Sequence, residues 1–143
     1  MDCIFCDIIE GKSEAEILFQ NENIISFLDI RPVNYGHTLV ITKKHYDNFQ
    51  SVPLEELDHL MKGIQFITYA VVKSVNADGF NLIVNSGKAA GQTIFHFHFH
   101  IIPRYLNDFR FKPDFKSYSI GGMKEFADKI RNEINKQKDF FYE

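Results

Sequence analysis

The 143-residue sequence contains no tryptophan, only two cysteines and four prolines, and no apolar run of membrane length. Each shortage excludes something. A spanning helix needs ~20 consecutive apolar residues, so no membrane partner is expected. Two cysteines cannot build a disulfide scaffold. The start, Met1-Asp2-Cys3-Ile4-Phe5-Cys6-Asp7, lacks a basic segment leading into an apolar one and does not read as a secretory signal. These features predict a reducing, cytoplasmic setting, with the thiols free for metal or thiol chemistry. Positive charge is not in excess either: 16 Lys and Arg face 19 Asp and Glu, for a net charge of -3. Nonspecific binding to nucleic acid is therefore not expected, although a local site can still attract a small anion. No linker, repeat or low-complexity stretch divides the chain, which reads as one domain over residues 1–143. Its 45% apolar and 24% charged content is that of an ordinary globule.

The apolar pattern predicts the elements. Residues 3–10 read as a short helix closed by Gly11. Strands are expected at 17–20 and 24–28, around the turn-prone Asn21-Glu22-Asn23, and again at 37–42. A long helix over 53–76 carries the stripe Leu54, Leu57, Leu60 or Met61, Ile64, Ile67 or Ala70, and Val71. Two more strands follow at 80–85 and 95–103. A last helix at 122–136 places Met123, Phe126, Ile130 and Ile134 on one face. Three strands before the long helix and two after it, without regular βαβ alternation, predict an α+β fold. Its sheet would be five-stranded and mostly antiparallel, with a long helix and a C-terminal helix.

Three of the six histidines stand in His96-Phe97-His98-Phe99-His100-Ile101-Ile102. On a strand, alternate side chains share a face, so one face would carry imidazoles and the other Phe97, Phe99 and Ile101. The apolar face suits a core, and the imidazole face must meet water, substrate or metal. At a rise of ~3.3 Å per residue, His96 and His100 would lie ~13 Å apart. One zinc ion with ~2.0–2.1 Å bonds to nitrogen cannot take both. The row must divide its work. The preceding segment, Asn85-Ser86-Gly87-Lys88-Ala89-Ala90-Gly91-Gln92-Thr93, is polar and glycine-bearing, and such a loop can turn several N–H groups inward as an anion nest. An imidazole with an ordinary pKa of ~6.5 is largely neutral at pH 7 and can attack a phosphate held there.

Gly91-Gln92-Thr93-Ile94-Phe95-His96-Phe97-His98-Phe99-His100-Ile101-Ile102 resembles the signature of the histidine-triad family of nucleotide-binding hydrolases and transferases. The likeness extends to Phe27-Leu28-Asp29-Ile30-Arg31-Pro32 and to Gly36-His37-Thr38-Leu39-Val40-Ile41-Thr42-Lys43-Lys44-His45. It covers about residues 3–105 and leaves 106–143 as a helical tail. The resemblance implies that His98 is a nucleophile that attacks an α-phosphate and forms a nucleotidyl-histidine, which water then releases. It implies phosphate contacts from His100, Asn85, Gly91, Gln92 and Thr93, and an orienting role for His37. Asp29 would hold the ribose, although an aspartate before Arg-Pro is often only a turn former. Ile4, Phe5, Ile8, Phe27 and Ile30 would form the slot for the base. His59, on the long helix, reads as an ordinary surface residue. The implied reaction is hydrolysis of a purine nucleoside phosphoramidate or nucleotidyl conjugate. Dinucleoside polyphosphate hydrolysis, suggested by Ile102-Pro103-Arg104, and a nucleotide-binding adaptor are the alternatives. Two departures stand out. Thr42 replaces a common proline, and the absent tryptophan removes a C-terminal contact of some animal members.

Cys3 and Cys6 form Cys-x2-Cys, half of a tetrahedral zinc site; a redox pair or two inert thiols are the rival readings. The resemblance implies that His45 and His96 complete a closed, structural two-cysteine, two-histidine zinc site. It also implies a homodimer formed through the long helix and the strand near 81–85. Phe66, Tyr69 and Val72 give that helix more apolar surface than one buried face requires. The alternative is that the C-terminal helix covers them.

Overall fold

The computed structural model describes residues 2–108 and 113–141, the side chains of 139–141 excepted. The chain divides into two compact units, Met1–Asp108 and Phe109–Glu143. The first has the order α1 (Ile4–Ile9), β1 (Ile17–Gln20), β2 (Ile24–Leu28), β3 (Thr38–Thr42), α2 (Leu54–Ser74), β4 (Gly79–Val84) and β5 (His98–Arg104), with single 3-10 turns at Phe49–Ser51 and Lys88–Ala90. The second holds α3 (Gly122–Phe141), which extends past the expected end at 136. Pairs such as Lys124–Asp128 and Glu125–Lys129 lie one turn apart along α3.

Local chemistry sets the element ends. Cys3 caps α1, its sulfur accepting from the Cys6 N–H, and Gly11 follows the helix at φ 76°, a left-handed position suited to glycine. The side chain of Asn21 accepts from the N–H groups of Asn23 and Ile24 and closes the β1–β2 hairpin. Pro53 precedes the first turn of α2, and Asn76, at φ 54°, lies just beyond its end.

The sheet runs β1-β2-β3-β5-β4 with every pair antiparallel. Its two faces have different tasks. Ile24, Val40, Phe99 and Ile101 join Leu60, Ile64, Ile67 and Val71 of α2 in one core. Ile25, Phe27, Leu39 and Ile41 face the other way and pack with Cys3, Phe5 and Ile8 of α1. Of the paired alternatives in the helix stripe, Leu60 and Ile67 are buried, whereas Met61 is exposed and Leu54 lies outside the core. Gly63 lets α2 sit directly against β2, because a Cβ there would run into the end of the fully buried Ile24.

One boundary matters for function. The expected strand at 95–103 begins only at His98. β3 pairs with β5 from Ile41↔His98 to Thr38↔Ile101. The next carbonyl, that of Thr42, is taken by the His96 ring at 2.7 Å, while the Phe97 N–H donates to the Tyr46 carbonyl at 2.7 Å. His96 therefore lies off the strand, and the straight-strand spacing between His96 and His100 does not apply. Among the described residues no helix is long and apolar enough to cross a membrane.

Candidate functional site

His98 and His100 project from β5 on the α1 face of the sheet, their ring centroids 4.9 Å apart. The edge of Phe5 meets the His98 ring at 5.1 Å between centroids. Beside them opens a cavity of about 520 Å³. Of the sequence-predicted residues, Ile4, Phe5, Ile8, Phe27, Asp29, Ile30, Thr93, His98 and His100 line it. Ile30 is 90% exposed at its mouth, an isolated apolar side chain that a flat ligand could cover. Glu14, Ala15, Leu28, Arg31, Leu39 and Ile94 line it as well. Sequence reasoning missed these six: Leu28 and Leu39 sit inside β2 and β3, where an apolar residue signals only a core, and Glu14, Ala15, Arg31 and Ile94 sit in connections that carry no signal of their own.

The partners of each imidazole settle where its proton lies. Nδ1 of His98 is 2.6 Å from the His96 carbonyl, which can only accept, so Nδ1 donates and Nε2 keeps a free lone pair. Nδ1 of His37 accepts from the Val33 N–H at 3.0 Å, so the proton of a neutral His37 is on Nε2. That nitrogen is 2.9 Å from Nδ1 of His100 and donates to it, which leaves the His100 proton on Nε2. His37 does not line the cavity; it acts through His100. Oδ2 of Asp29 stands 3.6 Å from Nε2 of His37, while its Oδ1 accepts from the Arg31 N–H at 2.8 Å. Asp29 is thus both the turn former and a carboxylate beside the histidines. Asp29, His37 and His100 come close enough to suggest a metal site, but the 2.9 Å contact between the two rings is a hydrogen bond.

Burial lowers the pKa of His98 and His37, and lowers that of His100 to about 4. Neighbouring His98 and His37 add to the effect on His100, and Asp29 opposes it. The row is neutral at pH 7, so each ring keeps one lone pair on nitrogen.

The loop before the row differs from the expected nest. The N–H groups of Ala90, Gly91 and Gln92 are bound by carbonyls of Gly87 and Lys88, and that of Gly87 by Oε1 of Gln92. The Gln92 amide also donates to the carbonyls of Asp47 and Ile94. Gln92 therefore staples the loop. Neither it, Gly91 nor Asn85 lines the cavity, and Asn85 lies against Gly91.

A second cluster sits beneath α1. The ligand atoms of Cys3, Cys6, His45 and His96 all lie within 4.8 Å of one another. Sγ of Cys3 is 3.5 Å from Nδ1 of His96, and Sγ of Cys6 is 3.3 Å from Nδ1 of His45. A tetrahedral zinc ion with ordinary bond lengths needs about 3.6 Å between sulfur and nitrogen. The far nitrogens are engaged, Nε2 of His96 with the Thr42 carbonyl and Nε2 of His45 with Asp47 at 2.8 Å. Both rings consequently present a bare Nδ1 to the cluster. Burial lowers His96 to about 4, and burial with the adjacent Cys3 raises Cys6 to about 11. The geometry and the donor set fit a soft divalent ion.

Comparison with known proteins agrees with this arrangement. The family model described as HIT domain matches residues 10–107. The chain belongs to the HIT, or histidine-triad, family. An uncharacterized HIT-like protein of Methanocaldococcus jannaschii is 48% identical over 106 residues, 74% of this chain and 81% of its own length. The adenylylsulfatase HINT3 of Arabidopsis thaliana is 42% identical over 75% of this chain, which spans only 54% of that protein. The crystal structure of a zinc-bound histidine triad family protein from Mycobacterium smegmatis superimposes with a TM-score of 0.72 at 42% identity, covering 80% of this chain and 85% of that one. The HIT fold, with its five-stranded antiparallel sheet, is therefore the fold of this chain.

The depressed His100 predicts a pH effect. Unfolded, its ring takes a proton near 6.5; folded, only near 4. Between these values the unfolded chain binds the extra proton, so this stabilisation is complete above pH 6.5 and is lost as pH falls toward 4. Melting curves should show wild type losing stability relative to His100→Gln across that window. Parallel slopes for the two proteins would refute it.

Proposed function

We propose that the chain hydrolyses nucleotide conjugates at the α-phosphate through a covalent intermediate on His98. One observation carries this: His98 has its Nδ1 proton committed to the His96 carbonyl and its Nε2 lone pair free beside a cavity suited to a nucleoside. Nε2 attacks phosphorus, the new P–N bond forms, and the bond to the leaving group breaks with its electron pair on that group, which takes a proton from solvent as it departs. The ring becomes cationic, and the carbonyl on Nδ1 stabilises it. Water then attacks phosphorus, the P–N bond breaks, and nucleoside monophosphate departs as the surplus water proton passes to solvent. Nε2–H of His100, oriented by His37, donates to a phosphate oxygen through both steps. Asp29 binds the ribose, and the base lies against Ile4, Phe5, Ile8, Phe27 and Ile30. Asn85, Gly91, Gln92 and Thr93 shape the phosphate end, Gln92 by stapling its loop. The substrates are purine nucleoside phosphoramidates or related conjugates. A relative named for adenylylsulfate, itself an adenylyl conjugate, supports that class.

Zinc is the resident ion of this reading, held by Cys3, Cys6, His45 and His96. Filling all four positions with protein leaves none for substrate, so the ion ties α1 and its side of the base slot to the loop ahead of β5. Both cysteines are free thiols, consistent with the cytoplasmic setting. The chain also pairs with a second copy. α2 and the edge strand β4 share an apolar groove lined by Ile64, Tyr69, Val72, Phe80 and Leu82, with Phe66 and Tyr69 exposed. Pairing β4 with its own copy would satisfy the strand edge.

Three results test these assignments. Reaction with an adenosine phosphoramidate, quenched and mapped, should place nucleotide on His98, and His98→Ala should lose at least ~10²-fold in rate. Label on His100 or a near wild-type His98→Ala enzyme would overturn the mechanism. Protein purified without added metal should carry close to one zinc per chain; Cys3→Ser/Cys6→Ser should lose it and melt lower yet keep measurable turnover. Zinc-free protein of normal stability would refute the metal site. Sedimentation at micromolar concentration should show about twice the 16.7 kDa chain mass; an active species at the chain mass would exclude the dimer.

A further inference from the structure

The base slot carries a charge on its wall. The cavity is lined by His98, by Phe5, whose ring centroid is 5.1 Å from that of His98, and by Ile8 on the same helix α1. Ala15 packs there against the cluster of Phe5, Ile8 and Phe27. Glu14, the residue before Ala15, lines the same cavity, and no hydrogen bond or ion pair engages its carboxylate among the described residues. The other carboxylate of the wall, Asp29, is held beside His37 and belongs to the phosphate and ribose end. A ligand with its phosphate at His98 and its base against Phe5 and Ile8 therefore shares its cavity with the Glu14 carboxylate, one residue from the Ala15 that packs on that same apolar wall.

A carboxylate only accepts hydrogen bonds. The Watson–Crick edge of guanine offers N1–H and the 2-amino group, two parallel donors matched to two carboxylate oxygens. Adenine offers a single amino group beside N1, a lone pair that a carboxylate repels. We infer that Glu14 is a specificity-determining residue that selects guanine over adenine in the base slot. The inference rests on the nucleotide reading above and adds the base to it. Glutamine makes the prediction sharp, because its amide both accepts and donates, which matches adenine's amino group and N1. Glu14 is exposed, so exchanging it leaves the core intact.

Binding of GMP and AMP to the full chain, measured by calorimetry, tests this without requiring turnover. Wild type should bind GMP roughly 3- to 10-fold more tightly than AMP, the range expected of one or two partly exposed hydrogen bonds. Glu14→Ala should bring the ratio near one, and Glu14→Gln should invert it. Equal binding of both nucleotides by all three proteins overturns the inference and leaves the nucleotide reading standing. So does a GMP preference that survives in Glu14→Ala, or a wild-type preference for AMP. Failure of wild type to bind either nucleotide overturns the nucleotide reading and this inference with it.

Discussion

The pairing of β3 with β5 is the constraint from which the site follows. Four residue pairs, Thr38↔Ile101 to Ile41↔His98, set the register. Because side chains alternate across a strand, a slip of one residue would send His98 and His100 into the α2 core and bring Phe99 out to the cavity. Burial of Phe99 and Ile101 on the α2 side therefore holds the imidazoles on the other. The same register ends β3 at Thr42, just where the His96 ring replaces a ladder hydrogen bond. A row of similar residues becomes two kinds of residue at that point.

Backbone groups then set the chemistry of each ring. The His96 carbonyl, the Val33 N–H and the Thr42 carbonyl each bind one ring nitrogen. A backbone carbonyl only accepts and a backbone amide only donates, so each leaves one tautomer of a neutral ring. His98 is left with a lone pair on Nε2, His100 with a proton there, and His96 with a lone pair toward the cysteines. The two clusters are coupled through residues 96–98, since the residue facing Cys3 and Cys6 supplies the carbonyl that orients the proposed nucleophile.

Much of the frame was legible in the sequence. Short apolar runs bounded by turn residues located the five strands, and 3.6-period stripes the two long helices, because β2 and β3 are buried on both faces while each helix turns one stripe to a core. The Cys-x2-Cys pair and the alternating histidines were equally plain as motifs, although only His98 and His100 share a face of β5. Less legible were the ends. The expected strand start at 95 failed because the last ladder acceptor goes to a side chain, a competition invisible to periodicity. The expected anion nest is narrowed for a similar reason: glycine spacing permits inward N–H groups, yet the loop's own carbonyls and the Gln92 side-chain oxygen take those of Gly87, Ala90, Gly91 and Gln92.

By itself the sequence determined which residues could carry chemistry and which face of each element had to be apolar, because these depend on residue type and local period. The division of labour among identical residues was decided only in the tertiary structure. His96, His98 and His100 have the same side chain, and only long-range partners distinguish them: Cys3 and Cys6 from α1, Thr42 from the end of β3, and His37 from the turn before it. The same holds for Glu14, an unremarkable surface glutamate in sequence that the connection from α1 to β1 brings to the wall of the cavity.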